Sequence, residues 1–203
     1  DRELECRGHC FVRYADDANV YVRSRKAGQR VMALLKRLYE KLHLSVNESK
    51  SAVTSAFGRK FLGYAFWASP KGVKRAVATK ARKQFKQRIR ELTRRSGGRS
   101  MRQVVENLRP YLLGWKAYFG LSQTPRVWRE LDEWMRHRLR AIQLKQWRRG
   151  ATIYRELRAL GASSQTARKV AANSHSWWRN SRFELKRMLD IAWFDRLRLV
   201  RLS

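Results

Sequence analysis

Two short apolar runs open the chain, Cys-Phe-Val-Arg-Tyr at 10–14 and Ala-Asn-Val-Tyr-Val at 18–22, and they flank Ala15-Asp16-Asp17. Both are rich in β-branched and aromatic residues, so they predict a hairpin with an acidic pair at its tip. Ser24 is a good helix cap, and Val31, Leu34, Leu35, Leu38 and Leu42 then recur at helical spacing. Residues 52–57 and 61–67 predict a second strand pair turning at Gly58-Arg59-Lys60. From Thr79 the period becomes that of a helix, with Ala81, Phe85, Ile89 and Leu92 in one stripe. Ser100 with Gln103 reads as a capping box that opens a helix carrying Met101, Val104, Val105, Leu108, Leu112 and Trp115, kinked at Pro110. Thr124-Pro125 opens another, continued by Leu131, Met135 and Ile142. Beyond Gly150, two short helices flank Gly161, and a last one is predicted over 182–192. The order predicts an α+β chain: antiparallel hairpins plus a helix over 1–72, a helical bundle over 73–149 and a helical extension over 150–203. Turn-forming residues at 69–72, 96–99 and 149–150 mark the breaks.

Charge changes this picture from a fold to a partner. The 203 residues carry 47 Lys+Arg against 16 Asp+Glu, a net +31. Self-repulsion of that size opposes compaction unless an anionic partner supplies counter-charge, which excludes an ordinary enzyme of small metabolites. Disorder is excluded as well, because 43% hydrophobic residues and 8 Trp are ample for a core. No apolar run reaches the roughly 20 residues of a membrane span, and no leader pattern opens the chain. Residues 1–70 hold 13 basic and 7 acidic side chains, a net +6, whereas 71–203 hold 34 and 9, a net +25. A polyphosphate, and so a nucleic acid, is the partner this fits.

The candidate contacts are Lys80, Arg82, Lys83, Lys86, Arg88 and Arg90, then Arg136, Arg138, Arg140, Lys145, Arg148 and Arg149, and finally Arg168, Lys169, Trp178 and Arg179. Basic runs of this kind are also what any solvated helix face carries. Most tryptophans fall on apolar stripes and are expected in the core, with Trp177-Trp178-Arg179 the exposed exception. Residues 152–173 have the helix, glycine turn, helix pattern of a DNA reader, or of a plain helical extension adding phosphate contacts. Cys6, His9 and Cys10 offer three metal ligands and no fourth, so they read as ordinary strand residues. Two cysteines fit a reducing, cytoplasmic compartment. His43, His137 and His175 share no ligand spacing.

Adjacent carboxylates repel, and a divalent cation offsets the cost well. Two magnesium ions held about 4 Å apart support nucleotidyl transfer, activating the attacking hydroxyl and stabilising the leaving pyrophosphate. An Asp-Asp pair is equally an ordinary turn pair.

The run Phe11-Val12-Arg13-Tyr14-Ala15-Asp16-Asp17 resembles the Tyr-x-Asp-Asp hairpin of reverse transcriptases, in the Tyr-Ala-Asp-Asp form of group II intron-encoded proteins. Leu42-His43-Leu44-Ser45-Val46-Asn47-Glu48-Ser49-Lys50 resembles the next palm motif, which ends in Asn-x-x-Lys. Phe61-Leu62-Gly63-Tyr64 resembles the primer-grip hairpin. Gly114-Trp115-Lys116-Ala117-Tyr118-Phe119, the stretch 131–140 and Leu144-Lys145-Gln146-Trp147 resemble the maturase-specific thumb.

The resemblance implies the last part of a palm over 1–72, a thumb over 73–149 and a basic C-terminal extension over 150–203. It implies that Asp16 ligates catalytic Mg²⁺ with help from Asp17, that Tyr14 and Ala15 support the hairpin, and that Lys50 lies near the incoming triphosphate. Phe61, Leu62, Gly63 and Tyr64 would position the primer's 3′ end. The implied partners are intron RNA, an RNA template–DNA primer duplex and target DNA. In this family the fingers and a further catalytic aspartate precede the Tyr-Ala-Asp-Asp strand. The expectation is therefore that the chain alone does not polymerise DNA and is completed by an N-terminal reverse transcriptase fragment in trans. Two other readings stay open: a non-catalytic RNA-binding splicing module with the palm remnant as scaffold, and a relative adapted to host defence or CRISPR spacer capture.

Overall fold

The first hairpin forms as the alternation predicts, from β1 (Cys10–Tyr14) and β2 (Asp17–Tyr21), paired antiparallel from Cys10↔Tyr21 to Tyr14↔Asp17. This computed structural model describes residues 1–94, 98–182 and 184–203, which divide into two units, Asp1–Arg59 and Lys60–Ser203. Within the first unit a short helix α1 (Arg2–Cys6) precedes the hairpin, and α2 (Arg25–Glu40) follows it. The expected cap is present, with Ser24 Oγ accepting from the Ala27 N–H at 3.2 Å. Val31 and Leu34 are buried, but Leu42 lies beyond the helix and is 65% exposed, so the apolar stripe ends at Leu38.

The strand expected over 52–57 does not form; only Phe57 at its end makes an isolated bridge. This stretch packs as an irregular segment against α2, and Gly28 makes room for it. A Cβ at Gly28 would stand 2.5 Å from Val53 Cγ1. Apolar alternation marked the segment as half-buried, and burial against a helix satisfies that pattern as well as a sheet does.

In the second unit, β3 (Lys60–Phe61), β4 (Tyr64–Ser69) and β5 (Gly72–Val77) make an antiparallel sheet in that order. The turn residues at 69–72 are the tip of the β4–β5 hairpin, with Ser69 opposite Gly72, and do not separate compact units. The helices follow: α3 (Thr79–Leu92), α4 (Met101–Phe119), α5 (Pro125–Trp147), α6 (Gly150–Ala159), α7 (Ser164–Ala172), α8 (Trp177–Arg182), α9 (Leu185–Met188) and α10 (Ile191–Arg196). The fold is α+β, as the pattern predicts.

Helices α3, α4 and α5 supply most of the core through Phe85 and Ile89, Leu108, Leu112 and Trp115, and Leu131, Met135 and Leu139. Its centre is aromatic: Phe85 and Trp115 lie 4.5 Å apart and Trp115 and Trp128 meet edge to face at 5.1 Å. The capping box at Ser100 and Gln103 is closed in both directions, and α4 runs unbroken through Pro110. Of the break expected at 96–99, Ser96 and Gly97 lie outside the described residues. The single helix expected over 182–192 is two, α9 and α10. Asp190 ends the first and caps the second, its Oδ1 accepting from the Trp193 N–H at 2.8 Å. Phe183 lies outside the described residues. Gly161, with φ +87°, closes α6 by the two crossed bonds of a Schellman turn, Ala162 N–H to Leu157 O and Gly161 N–H to Arg158 O.

After α10 the chain runs as an irregular strap that buries Leu199 and Leu202. Its backbone is held from two helices. Arg109 and Lys116 of α4 donate to the carbonyls of Arg198 and Arg201 at 3.2 and 2.8 Å. The fully buried Asp132 carboxylate of α5 accepts from the Leu202 and Ser203 amides and from the Ser203 hydroxyl, at 2.7 to 3.2 Å. Replacing Asp132 by Ala strands the buried Leu202 amide, frees the Ser203 end of the strap and is expected to cost about 3 kcal/mol. Asp132→Asn, which keeps one acceptor, should cost less. Urea denaturation of the two variants beside the parent measures both.

Candidate functional site

The register of the first hairpin leaves Ala15 and Asp16 as its two-residue turn, with Asp17 the first residue of β2. Ala15 takes φ +51° at the first central position, where such turns normally use glycine. An L-residue there costs about 1 kcal/mol. Asp16 and Asp17 are exposed, as is Tyr14, and Arg13 spends its charge on Asp1 at 2.7 Å. Two hard carboxylates on adjacent residues are the donor set Mg²⁺ prefers. Among the described residues, however, no group of three or more His, Cys, Asp or Glu side chains could hold an ion, so the pair fits part of a metal site. Cys6 and Cys10 are free, exposed thiols.

Lys50 is exposed, and the asparagine three residues before it explains the spacing. Asn47 Oδ1 accepts from the Lys50 N–H at 3.2 Å and from Ser49 Oγ at 2.7 Å, closing the turn that presents the lysine. Lys36 of α2 pairs with Glu48 in the same turn and holds that carboxyl below its ordinary range.

In the second unit, Phe61 pairs with Tyr64, so Leu62 and Gly63 form a two-residue turn with φ +49° and +77°. Positive φ at both positions is the type I′ signature. This turn is bolted to the end of α4. Tyr118 Oη donates to Leu62 O at 3.0 Å, Tyr64 Oη donates to Tyr118 O at 2.6 Å, and the Tyr64 and Phe119 rings lie 5.3 Å apart. Burial pushes the Tyr64 phenol up, so it stays a donor. The Ala78 N–H donates to Gly63 O at 2.8 Å, tying the turn to the start of α3. The primer-grip residues read from the sequence thus come together, and Tyr118 and Phe119, which hold them, were read only as thumb helix.

The basic residues of α3 separate by facing. Lys80, Lys83, Arg88 and Arg90 are exposed. Arg82, Lys83 and Lys86 join Thr79, Val127, Glu130 and Leu131 in a groove of about 250 Å³ between α3 and α5. There Arg82 Nε is buried without a hydrogen-bond partner among the described residues, while its Nη2 donates to Thr79 Oγ1 at 3.2 Å. Lys86 and Arg90 each sit 5.4 Å from the Trp134 ring centroid.

On α5 two expectations need correction. Arg140 is 3% exposed; its Nε donates to Leu189 O at 2.8 Å and its guanidinium lies over Phe194. Burial, followed by the charge of Arg136, lowers it to about 10. It is a core tie and cannot reach a phosphate. Arg138 turns to the end of α3, donating to Thr93 Oγ1 at 2.6 Å and to the Arg90 and Thr93 carbonyls. Arg136 is half-buried, 3.9 Å from Asp132. Lys145 covers the Trp177 ring at 5.5 Å, and Lys169 pairs with Glu184 at 2.8 Å. Arg148, Arg149, Arg168, Trp178 and Arg179 are exposed.

The lock on the Leu62-Gly63 turn can be tested against a turn with no neighbour. A Cβ at Gly63 would meet the Phe119 ring at 3.0 Å, whereas one at Gly161, of similar positive φ, would meet nothing within 4 Å. Gly161→Ala should cost about 1 kcal/mol for backbone strain alone. Gly63→Ala should cost at least about 1 kcal/mol more, because the ring must move. Thermal denaturation of the pair gives the difference.

Residues 1–66 match the family described as "Reverse transcriptase (RNA-dependent DNA polymerase)". Residues 82–161 match "Group II intron, maturase-specific domain". No curated protein matches the chain. Among the described residues, no helix is long and apolar enough to cross a membrane. The Tyr-Ala-Asp-Asp hairpin and the Leu62-Gly63 turn therefore lie in a segment that matches the reverse transcriptase family, followed by a segment that matches the group II intron maturase-specific domain, the pairing expected of a group II intron reverse transcriptase/maturase.

Proposed function

We propose that this chain contributes the carboxylate hairpin, primer grip and thumb of a group II intron-type RNA-directed DNA polymerase that also binds its intron RNA in splicing. The observation that carries the reading is the exposed Asp16-Asp17 pair on a strained two-residue turn, in a reverse transcriptase segment followed by a maturase-specific domain. Asp16 and Asp17 would hold Mg²⁺ together with one more carboxylate. The metal, when bound, supplies the positive charge that nucleotidyl transfer needs. Tyr14 and Ala15 fix the tip, Lys50 offers a cation to a triphosphate, and the turn from Phe61 to Tyr64 supports the primer end. Lys80, Arg82, Lys83, Lys86, Arg88 and Arg90 neutralise backbone phosphates, joined by Lys145, Arg148, Arg149 and Arg168. Helix α7, with Arg168 on its open face, extends this surface toward target DNA.

The other reading, an RNA-binding splicing module that does no chemistry, is favoured by the match of residues 82–161 to a maturase-specific domain. Mixing the chain with a polypeptide carrying reverse transcriptase fingers and the further aspartate separates the two. Primer extension is expected with the parent and is expected to fall by at least about a thousandfold with Asp16→Ala, while RNA affinity stays unchanged. Intact RNA binding with no extension in either mixture would favour the splicing module.

The phosphate surface has its own signature. RNA affinity should drop by about 10³-fold or more between 50 and 200 mM salt if 6–10 phosphates are neutralised. Lys80→Ala or Lys83→Ala should each lower the log–log salt slope by about 1. Arg140→Ala should leave the slope unchanged and lower the melting temperature.

A further inference from the structure

Helix α8 is only six residues long, Trp177–Arg182, yet it is fastened by an unusual number of polar side chains. Asn180 and Ser181 are buried. Asn180 Nδ2 donates to Asn173 O at 2.9 Å, and Ser181 Oγ donates to Trp178 O at 2.8 Å. His137 of α5 lies 2.9 Å from the same carbonyl through Nε2, which makes that nitrogen the protonated donor. Trp178 and Arg179, by contrast, are exposed. Trp178 is 47% exposed, and its ring rests on the His137 imidazole with centroids 3.8 Å apart.

The result is a large aromatic surface backed on one side, clamped at its own backbone and presented to solvent beside an arginine. An isolated exposed tryptophan needs no explanation. This one has its backbone fixed by two hydrogen bonds to its carbonyl and its ring backed by the His137 imidazole at an interplanar angle of 35°, and such ordering in advance lowers the cost of binding something flat. The charge around it selects the kind of flat ligand. Helix α8 carries two arginines and no acid, and Lys145 lies over the neighbouring Trp177. On the flanking elements Glu133 is already paired with Lys186 at 2.6 Å and Glu184 with Lys169 at 2.8 Å. A flat group carrying negative charge close by is a nucleobase with its phosphate.

We propose that Trp178, backed by His137 and flanked by Arg179, is a stacking site for an unpaired nucleobase, so that this end of the molecule grips single-stranded nucleic acid. In a duplex the base faces are occupied by their neighbours, and an exposed ring gains nothing from them. The site is therefore selective for loops, overhangs or displaced strands, in contrast to the phosphate contacts of α3. It rests on the reading that the chain binds nucleic acid, and adds which conformation this surface takes.

The test uses the full chain, a labelled 12-nucleotide oligouridylate and a 12-base-pair RNA duplex at one salt concentration. A stacked base contributes about 1–3 kcal/mol, equivalent to roughly 5- to 150-fold in affinity. Trp178→Ala should weaken single-strand binding by about tenfold or more and leave duplex binding within about twofold. Trp178→Phe should recover most of the loss, and an unchanged melting temperature for both variants establishes that the fold is intact. Equal loss on both RNAs, or no loss on the single strand, overturns the site while leaving the phosphate-binding reading standing. A parent chain that binds neither RNA overturns both.

Discussion

The second unit, 60–203, carries 35 basic and 9 acidic residues, so it must fold against a net +26 of its own charge with few carboxylates to help. Two devices make that possible. The first is the aromatic centre of Phe85, Trp115, Phe119 and Trp128, whose packed rings give area burial and edge-to-face attraction without any polar partner. The second is the use of backbone carbonyls as counter-groups. Arg99, Arg109, Arg138, Arg140 and Arg158, and Lys116 as well, donate to main-chain oxygens of Leu92, Arg198, Arg90 and Thr93, Leu189, Ala162 and Arg201. Several of these carbonyls end helices, where the orphan oxygens and the helix dipole both favour a cation.

That arrangement divides the basic residues by role. Cations that bind carbonyls tie elements together: Arg138 joins α5 to the end of α3, Arg140 joins it to the end of α9, and Arg109 and Lys116 hold the strap on α4. The exposed cations of α3 point away from such partners. Asp132 is the counterpart, a buried acid serving backbone amides while its nearest cation, Arg136, stays 3.9 Å away. Asp132 thus organises the backbone, most other acids of the unit pair with single cations, and the surplus positive charge is left for a polyanion.

The helices were legible because a 3.6-residue stripe needs only one face to be apolar, and Phe85, Ile89, Leu108, Leu112, Leu131 and Met135 all lie where the period puts them. Burial was legible at 52–57, but its partner was not: alternation reports a half-buried segment without saying whether a strand or, as here, the bare surface at Gly28 covers it. The basic surface was read by counting charge, which cannot see facing. Arg136, Arg138 and Arg140 are two apart, so a helix sends the middle one about 200° from its neighbours, and the three could never share one surface. The spacing carried that warning. The lock between Tyr118 and the Leu62-Gly63 turn spans 56 residues and left no local trace.

Among the described residues five non-glycines take positive φ, and two of them, Ala15 and Leu62, sit in the turns that match reverse transcriptase motifs. Gly8, Gly58, Gly72 and Gly161 meet a positive φ with the residue built for it, whereas the first central residues of the hairpins are Ala15 at +51° and Leu62 at +49°. Each costs about 1 kcal/mol relative to glycine, a substitution the ladders on either side would accept. Such strain persists where the surroundings over-determine it. At Leu62 they do so visibly, through Tyr118 on its carbonyl and Phe119 against the next residue. At Ala15 only the β1–β2 ladder enforces the turn, so the alanine's methyl narrows the backbone freedom of Asp16 beside it. Departure from the locally best residue thus shows where neighbouring structure, and not local preference, sets the backbone of these two turns.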